Sequence, residues 1–252
     1  MENLTSIPLW LPAVFFLVAF FYSMVGFGGG SSYLAILALI GLSYQSIPPI
    51  ALVCNLIVVT GGCWHFYRAG YLKLNIVLPF VILSIPMAYW AGTLVISKQV
   101  FALLLGVSLL CVAVRMFLPN SSSKEKKVVS TKQAWLVGIP VGALLGFLAG
   151  LVGIGGGIFL SPLLLLMNWG NIKQAAATAS FFIFANSLAG LLGQMQKGTP
   201  DFSFLLPLAI AVFIGGQLGS RFGAYKVPKV RLQQLLGIFV LYVGIRLIGI
   251  GT

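Results

Sequence analysis

Three adjacent glycines occur twice in apolar surroundings: Gly26-Phe27-Gly28-Gly29-Gly30, and Gly153-Ile154-Gly155-Gly156-Gly157, an offset of 127 from Gly26 to Gly153. Glycine costs about 1 kcal/mol per helical position relative to alanine, so each triplet favours a break. A helix broken inside a bilayer leaves backbone N–H groups free where the next helix begins. With the positive end of that helix's dipole they form an anion site that needs no cationic side chain. Unwound backbone at that depth persists only where protein buries it or where it lines a cavity. Matched breaks in two halves of a chain point to a transporter's binding site. Gly28, Gly29, Gly30, Ser31 and Ser32 supply one set of donors and hydroxyls, and Gly155, Gly156 and Gly157, with Ile158 after them, supply the other. The competing reading is close helix packing on small residues. Matched triplets exceed what packing needs.

Polar residues inside apolar segments form a second tier: Asn55, Thr60 and His65, then Thr178, Ser180, Asn186, Ser187 and Gln194, with Gln217 a weaker candidate. At membrane depth such residues are functional candidates by default, although serine and threonine often only bridge helices. His65 is the single histidine. It is a possible proton site, or an interfacial hydrogen-bonded ring. Arg115 and Arg246 occupy equivalent late positions in the two halves, where they snorkel to the interfaces or draw anions to the mouths.

The three carboxylates, Glu2, Glu125 and Asp201, decide most, because none is central to an apolar segment. Cation carriers and most proton pumps need buried carboxylates, and hydrolases of the paired-carboxylate type need two. Cys54, Cys63 and Cys111 lack CxxC spacing and read as small core residues, so neither metal nor cofactor is expected. The glycines lack GxGxxG spacing, follow no strand and have no acid about 20 residues on, which removes a dinucleotide site. There is no P-loop and no nucleic-acid motif. What remains is a passive or secondary route for a small anion, with membrane lipid and that anion as the expected partners.

The elements that must position these residues follow from composition. The chain has 252 residues, 60% of them hydrophobic and 7% charged. A soluble domain is roughly a quarter charged, so this chain belongs in lipid. Apolar segments fall at about 10–26, 31–42, 47–67, 75–95 and 99–118, then 134–152, 155–168, 174–196, 203–221 and 231–250. The fold class is therefore an all-α polytopic membrane protein. Residues 1–118 form a first repeat, 119–133 a polar linker and 134–252 a second repeat. Arg68-Ala69-Gly70 aligns with Gln196-Lys197-Gly198, and Leu78-Pro79-Phe80 with Leu206-Pro207-Leu208, both at an offset of 128. Each repeat reads as a glycine-broken helical hairpin, re-entrant or sharply tilted, followed by three transmembrane helices. With the linker in the cytoplasm, all of the 15 Lys and Arg except Lys98, Lys197 and Arg246 lie inside. Both termini are then external and the repeats inverted, so that one hairpin enters from each face. The first apolar run lacks a basic n-region and is needed for the first repeat, so it is expected to stay in place.

The sequence resembles the sulfite exporter TauE/SafE family of bacterial membrane proteins. The resemblance rests on Val25-Gly26-Phe27-Gly28-Gly29-Gly30 and Leu151-Val152-Gly153-Ile154-Gly155-Gly156-Gly157, with Thr178-Ala179-Ser180 and Asn186-Ser187-Leu188-Ala189-Gly190. It implies export of sulfite or small organosulfonates across the bacterial cytoplasmic membrane. The proline that often follows the family's glycine motif is kept as Pro162, whereas the first half has Tyr33-Leu34-Ala35, so the two breaks are expected to differ in shape. Alternatives are a proton-coupled importer using His65, an anion channel, and a membrane scaffold that transports nothing.

Overall fold

A computed structural model describes residues 8–117, 130–198 and 202–225, together with Leu241 and Ile245. Among these residues the regular elements are all helices: α1 Trp10–Met24, α2 Gly30–Leu39, α3 Ile47–Arg68, α4 Leu74–Thr93, α5 Lys98–Phe117, α6 Thr131–Val152, α7 Gly157–Leu166, α8 Ile172–Gln194 and α9 Phe202–Tyr225. The expected last segment at 231–250 apart from Leu241 and Ile245, most of the linker and Arg246 lie outside the described residues.

Local chemistry sets the boundaries. Each glycine motif ends one helix and starts the next: Gly29 and Gly156 are the left-handed N-caps of α2 and α7, with φ of +91° and +74°. Only glycine takes that conformation at little cost. Pro48 and Pro49 open α3, where a missing N–H costs nothing. Asn171 and Gln174 close a capping box on α8. Ser130 Oγ accepts from Gln133 N at 3.3 Å, so α6 begins at Thr131 inside the expected 119–133 linker.

Among the described residues five helices are long and apolar enough to cross a membrane: α3, α4, α6, α8 and α9. The two hairpins have unequal first arms. The 15 residues of α1 rise about 22 Å and the 22 of α6 about 33 Å, the latter enough to cross hydrocarbon about 30 Å thick. The long α6 thus fits a full crossing better than a re-entrant arm.

Helices α3 and α8 form the centre, 67% buried over their apolar windows against 39% for α4, α6 and α9. Around them α4 packs on α6, and α1 packs on α9. Exchanging the halves turns one pair into the other, so each hairpin's first arm lies on the fourth helix of the opposite half. Glycines make both contacts intimate. Gly142, Gly146 and Gly150 of α6 face the backbone of Phe80, Ser84 and Ala88, while Gly215, Gly219 and Gly223 of α9 face Phe16, Phe20 and Met24. Small residues bring helix axes close where burial from water offers no driving force, and here they serve packing alone. Ile82, Ile85, Leu103, Leu144, Ile210 and Phe213 point outward as an apolar collar. Trp64 carries Arg68 over its ring at 5.4 Å, an aromatic–cation pair suited to the interface.

Candidate functional site

The two glycine breaks meet at one side chain. Asn55, fully buried on α3, donates through Nδ2 to the carbonyl of Ile154 in the second break at 3.2 Å. A methyl built on Gly28 would meet Asn55 Oδ1, one on Gly30 would meet Asn55 Nδ2, and one on Gly155 would lie 3.0 Å from Nδ2. Gly28 and Gly30 are therefore bare because the Asn55 amide fills the space that a Cβ would take, and Gly155 of the other half adjoins the same amide. Ile183 of α8 holds the matching place in the second half, packed on Gly155 and Gly157.

Each break also leans on the opposite half. Gly26 lies against Ala176 at the start of α8, and Gly153 against Pro48 at the start of α3. Ser180 Oγ donates to the Gly26 carbonyl at 2.8 Å. The breaks differ in detail, as the Pro162/Tyr33 contrast predicts. The second has φ of +88°, +83° and +74° at Gly153, Gly155 and Gly156; the first has +85° and +91° at Gly26 and Gly29 alone.

Among the described residues, the N–H groups of Gly28, Gly29, Gly30 and Ser31 donate to no backbone carbonyl, and neither do those of Gly155, Gly156 and Ile158. Helix starts leave such donors open. Gly157 differs: its N–H closes a tight turn on the Gly155 carbonyl at 3.0 Å. Ser187 Oγ and Asn55 Oδ1 are buried without a hydrogen-bond partner, and Ser187 Oγ lies 3.0 Å from a methyl built on Gly155. Leaving a buried polar group unpaired costs about 1–3 kcal/mol, so their gathering at one place singles it out. The void beside the breaks, lined by Tyr22, Gly28–Ser31, Ile154, Ile158 and Ile183, measures only about 10 Å³. That is room for about one water.

The other sequence candidates divide. Ser31 and Ser32 turn to the buried Tyr22 hydroxyl: Ser32 Oγ donates to it at 2.8 Å, and Ser31 Oγ lies 3.3 Å away. Thr178 is buried two residues before Ser180. Asn186 donates to its own helix at Phe182 O, 2.8 Å, with Oδ1 unpaired. Thr60 is exposed and bonds back to Leu56 O at 2.6 Å, away from the breaks. Five residues beyond Asn55 it is turned by about 140° around α3, which explains the difference. His65 Nδ1 sits 2.9 Å from Ser220 Oγ and joins α3 to α9, about 15 Å along the helix from Asn55. Gln194 Nε2 donates to Gly150 O at 2.8 Å and ties α8 to α6.

Tyr22, Tyr33, Ile154 and Ile183 join the site without a sequence signal of their own. Tyr22 stands one helical turn before Gly26, and Tyr33, whose hydroxyl is buried and unpaired, shields Gly29 with its ring stacked on Phe15 at 4.6 Å. Ring position one turn either side of a glycine break is the cue that would have found the tyrosines.

Long apolar helices around two facing backbone breaks define a multi-pass α-helical membrane protein with a buried polar centre. Residues 11–247 match the family model described as Sulfite exporter TauE/SafE. The chain belongs to that family of membrane transporters. It is 34% identical to Probable membrane transporter protein y4hK of Sinorhizobium fredii over 241 residues, covering 94% of this chain and 97% of the relative. It is 28% identical to Probable membrane transporter protein MJ0441 of Methanocaldococcus jannaschii, over 96% of both chains. Sulfite exporter TauE/SafE family protein 1 of Arabidopsis thaliana is 39% identical over 102 residues, 38% of this chain and 22% of the relative. No solved structure matches.

Proposed function

We propose that the protein is a secondary transporter of the bacterial cytoplasmic membrane that exports sulfite or a small organosulfonate by alternating access. The observation that carries this reading is the convergence of both glycine breaks on Asn55, with N–H groups in each break that donate to no backbone carbonyl. Such donors, backed by the starts of α2 and α7, stabilise a compact oxyanion without a cationic side chain. The Ser187 hydroxyl would add another donor.

A void of about 10 Å³ cannot take an oxyanion as it stands, so loading requires the halves to part. That favours a carrier over an open filter. The paired packing of α4 on α6 and α1 on α9 supports inverted repeats that rock against each other. With the interior negative, outward movement of one negative charge gains about 2.3 kcal/mol per 100 mV, so export needs no coupling ion. His65 stands away from the breaks, which leaves proton coupling without a route through them. The partners under this reading are the anion and membrane lipid.

The test is counterflow of labelled sulfite in liposomes containing only the purified protein, challenged with sulfate, thiosulfate and sulfoacetate. Accumulation that sulfite or sulfoacetate competes away is the expected result. No flux with any of the four would overturn the proposal.

A further inference from the structure

A second cavity lies apart from the breaks and is far larger, about 620 Å³. It opens between the turn at Tyr44–Ser46, the end of α4, the start of α5 and the end of α8. Pro48 and Leu151 are among the residues that line it. Pro48 is the residue against which Gly153 rests, and a methyl built on Gly153 would lie 3.0 Å from it. One residue layer therefore separates this cavity from the second break.

Its polar lining comes from Gln45, Ser46, Thr93, Gln194, Gln196 and Lys197. Lys197 Nζ is held at the wall by the Leu94 carbonyl at 3.0 Å. A carbonyl orients an ammonium without cancelling its charge. Lys197 is exposed to the cavity, and partial desolvation lowers its pKa from the usual lysine value. In a cleft with low-dielectric walls a cation raises the local concentration of anions.

The opposite face shows what this space looks like when closed. At the 128 offset, Gln45 corresponds to Lys173, Pro48 to Ala176 and Gln194 to Phe66. There Phe66, Ala176, Ala177 and Ala224 pack as a buried cluster. Lys173 Nζ donates to Tyr71 Oη at 3.2 Å and to Ala224 O at 3.1 Å across it. One mouth is open and its counterpart shut.

We propose that the 620 Å³ cavity is an antechamber for small oxyanions, in which Lys197 supplies the charge and the amides of Gln45 and Gln196 supply hydrogen bonds. It holds the anion between the second glycine break and the outer medium. The choice of oxyanion, and the outer face, rest on the transport reading above.

The test places a reporter thiol by Gln196→Cys in a full-length background with Cys54, Cys63 and Cys111 changed to alanine. Membrane-impermeant methanethiosulfonates, one anionic and one cationic, are applied to intact spheroplasts. The anionic reagent should react faster, and sulfoacetate should slow it. Lys197→Gln should lower the anionic-to-cationic rate ratio about five-fold, as one charge several ångströms away requires, and Lys197→Arg should preserve it. A ratio unmoved by Lys197→Gln overturns the antechamber, as does labelling that occurs only after the membrane is opened. Sulfite counterflow of the wild-type chain is read separately. Flux with an unmoved ratio sinks the antechamber alone, whereas a Lys197-dependent ratio without flux sinks the transport reading and leaves an anion cavity.

Discussion

Asn55 and Ile183, 128 positions apart on α3 and α8, cover the two glycine breaks in the same way, one with an amide and the other with a hydrocarbon. Both press on the first and third glycines of their own half's triplet. Of the two, only Asn55 reaches across, through its 3.2 Å bond to Ile154 O, and Ser180 makes the reciprocal tie from the second half to Gly26 O at 2.8 Å. The two halves are thus alike in shape and unlike in polarity at the centre.

Asn55→Asp should abolish sulfite counterflow while leaving a well-behaved protein. The change is isosteric, but it would set a negative charge where the two breaks meet, repelling an incoming anion, and it would lose the donor to Ile154 O. Flux below about a tenth of wild type is expected, with an unchanged elution profile in detergent. Near-normal flux would separate Asn55 from the site.

Gly29→Ala and Gly156→Ala should each stop transport without preventing membrane insertion. Both positions have φ in the left-handed region, where a Cβ costs about 1–2 kcal/mol, and the added methyl would also lie within 3 Å of Tyr33 or Phe182 ring atoms. Gly41→Ala is the control: its φ is +81°, but nothing stands within 4 Å. It carries the backbone strain without the collision, and transport should survive. Insertion is read by protease accessibility, and transport by counterflow.

Ser180→Ala should lower both stability and flux. It leaves the buried Gly26 carbonyl without the 2.8 Å hydroxyl donor, a loss of about 1–3 kcal/mol. A fall in melting temperature with flux reduced but present is expected, and Ser180→Thr should recover much of it. An unchanged melting temperature would mean that the bond carries no weight.

His65→Gln should leave sulfite flux and its pH profile close to wild type. The ring's partner is Ser220 Oγ at 2.9 Å, and a glutamine amide can renew that link. Loss of pH dependence in the variant would instead make His65 a proton carrier.

Gly150→Ala and Gly219→Ala should destabilise far more than changes in the exposed collar. A methyl at either would strike a backbone carbonyl, Ala88 O or Phe20 O, where nothing can move aside without parting two helices. Loss of monodisperse protein is the expected readout, with Ile82→Ala, on the exposed face, close to wild type.

The sequence by itself determined where the helices break and why. Gly26, Gly29, Gly153 and Gly156 all lie at positive φ, and no other residue type takes that conformation so cheaply. It also determined the class, because a chain 7% charged with matched glycine triplets has few other homes. What it left open was direction around each helix. In lipid, α3 and α8 are apolar on nearly every side, so hydropathy has no face to reveal. Asn55 and Thr60 looked alike in the sequence; helix packing turned one onto both breaks and the other to the exterior. The bond from Ser180 to Gly26 and the space around Lys197 join residues more than 100 positions apart. Only the crossing of α3 with α8, and of each hairpin with the opposite half, could decide them, because those contacts belong to no segment alone.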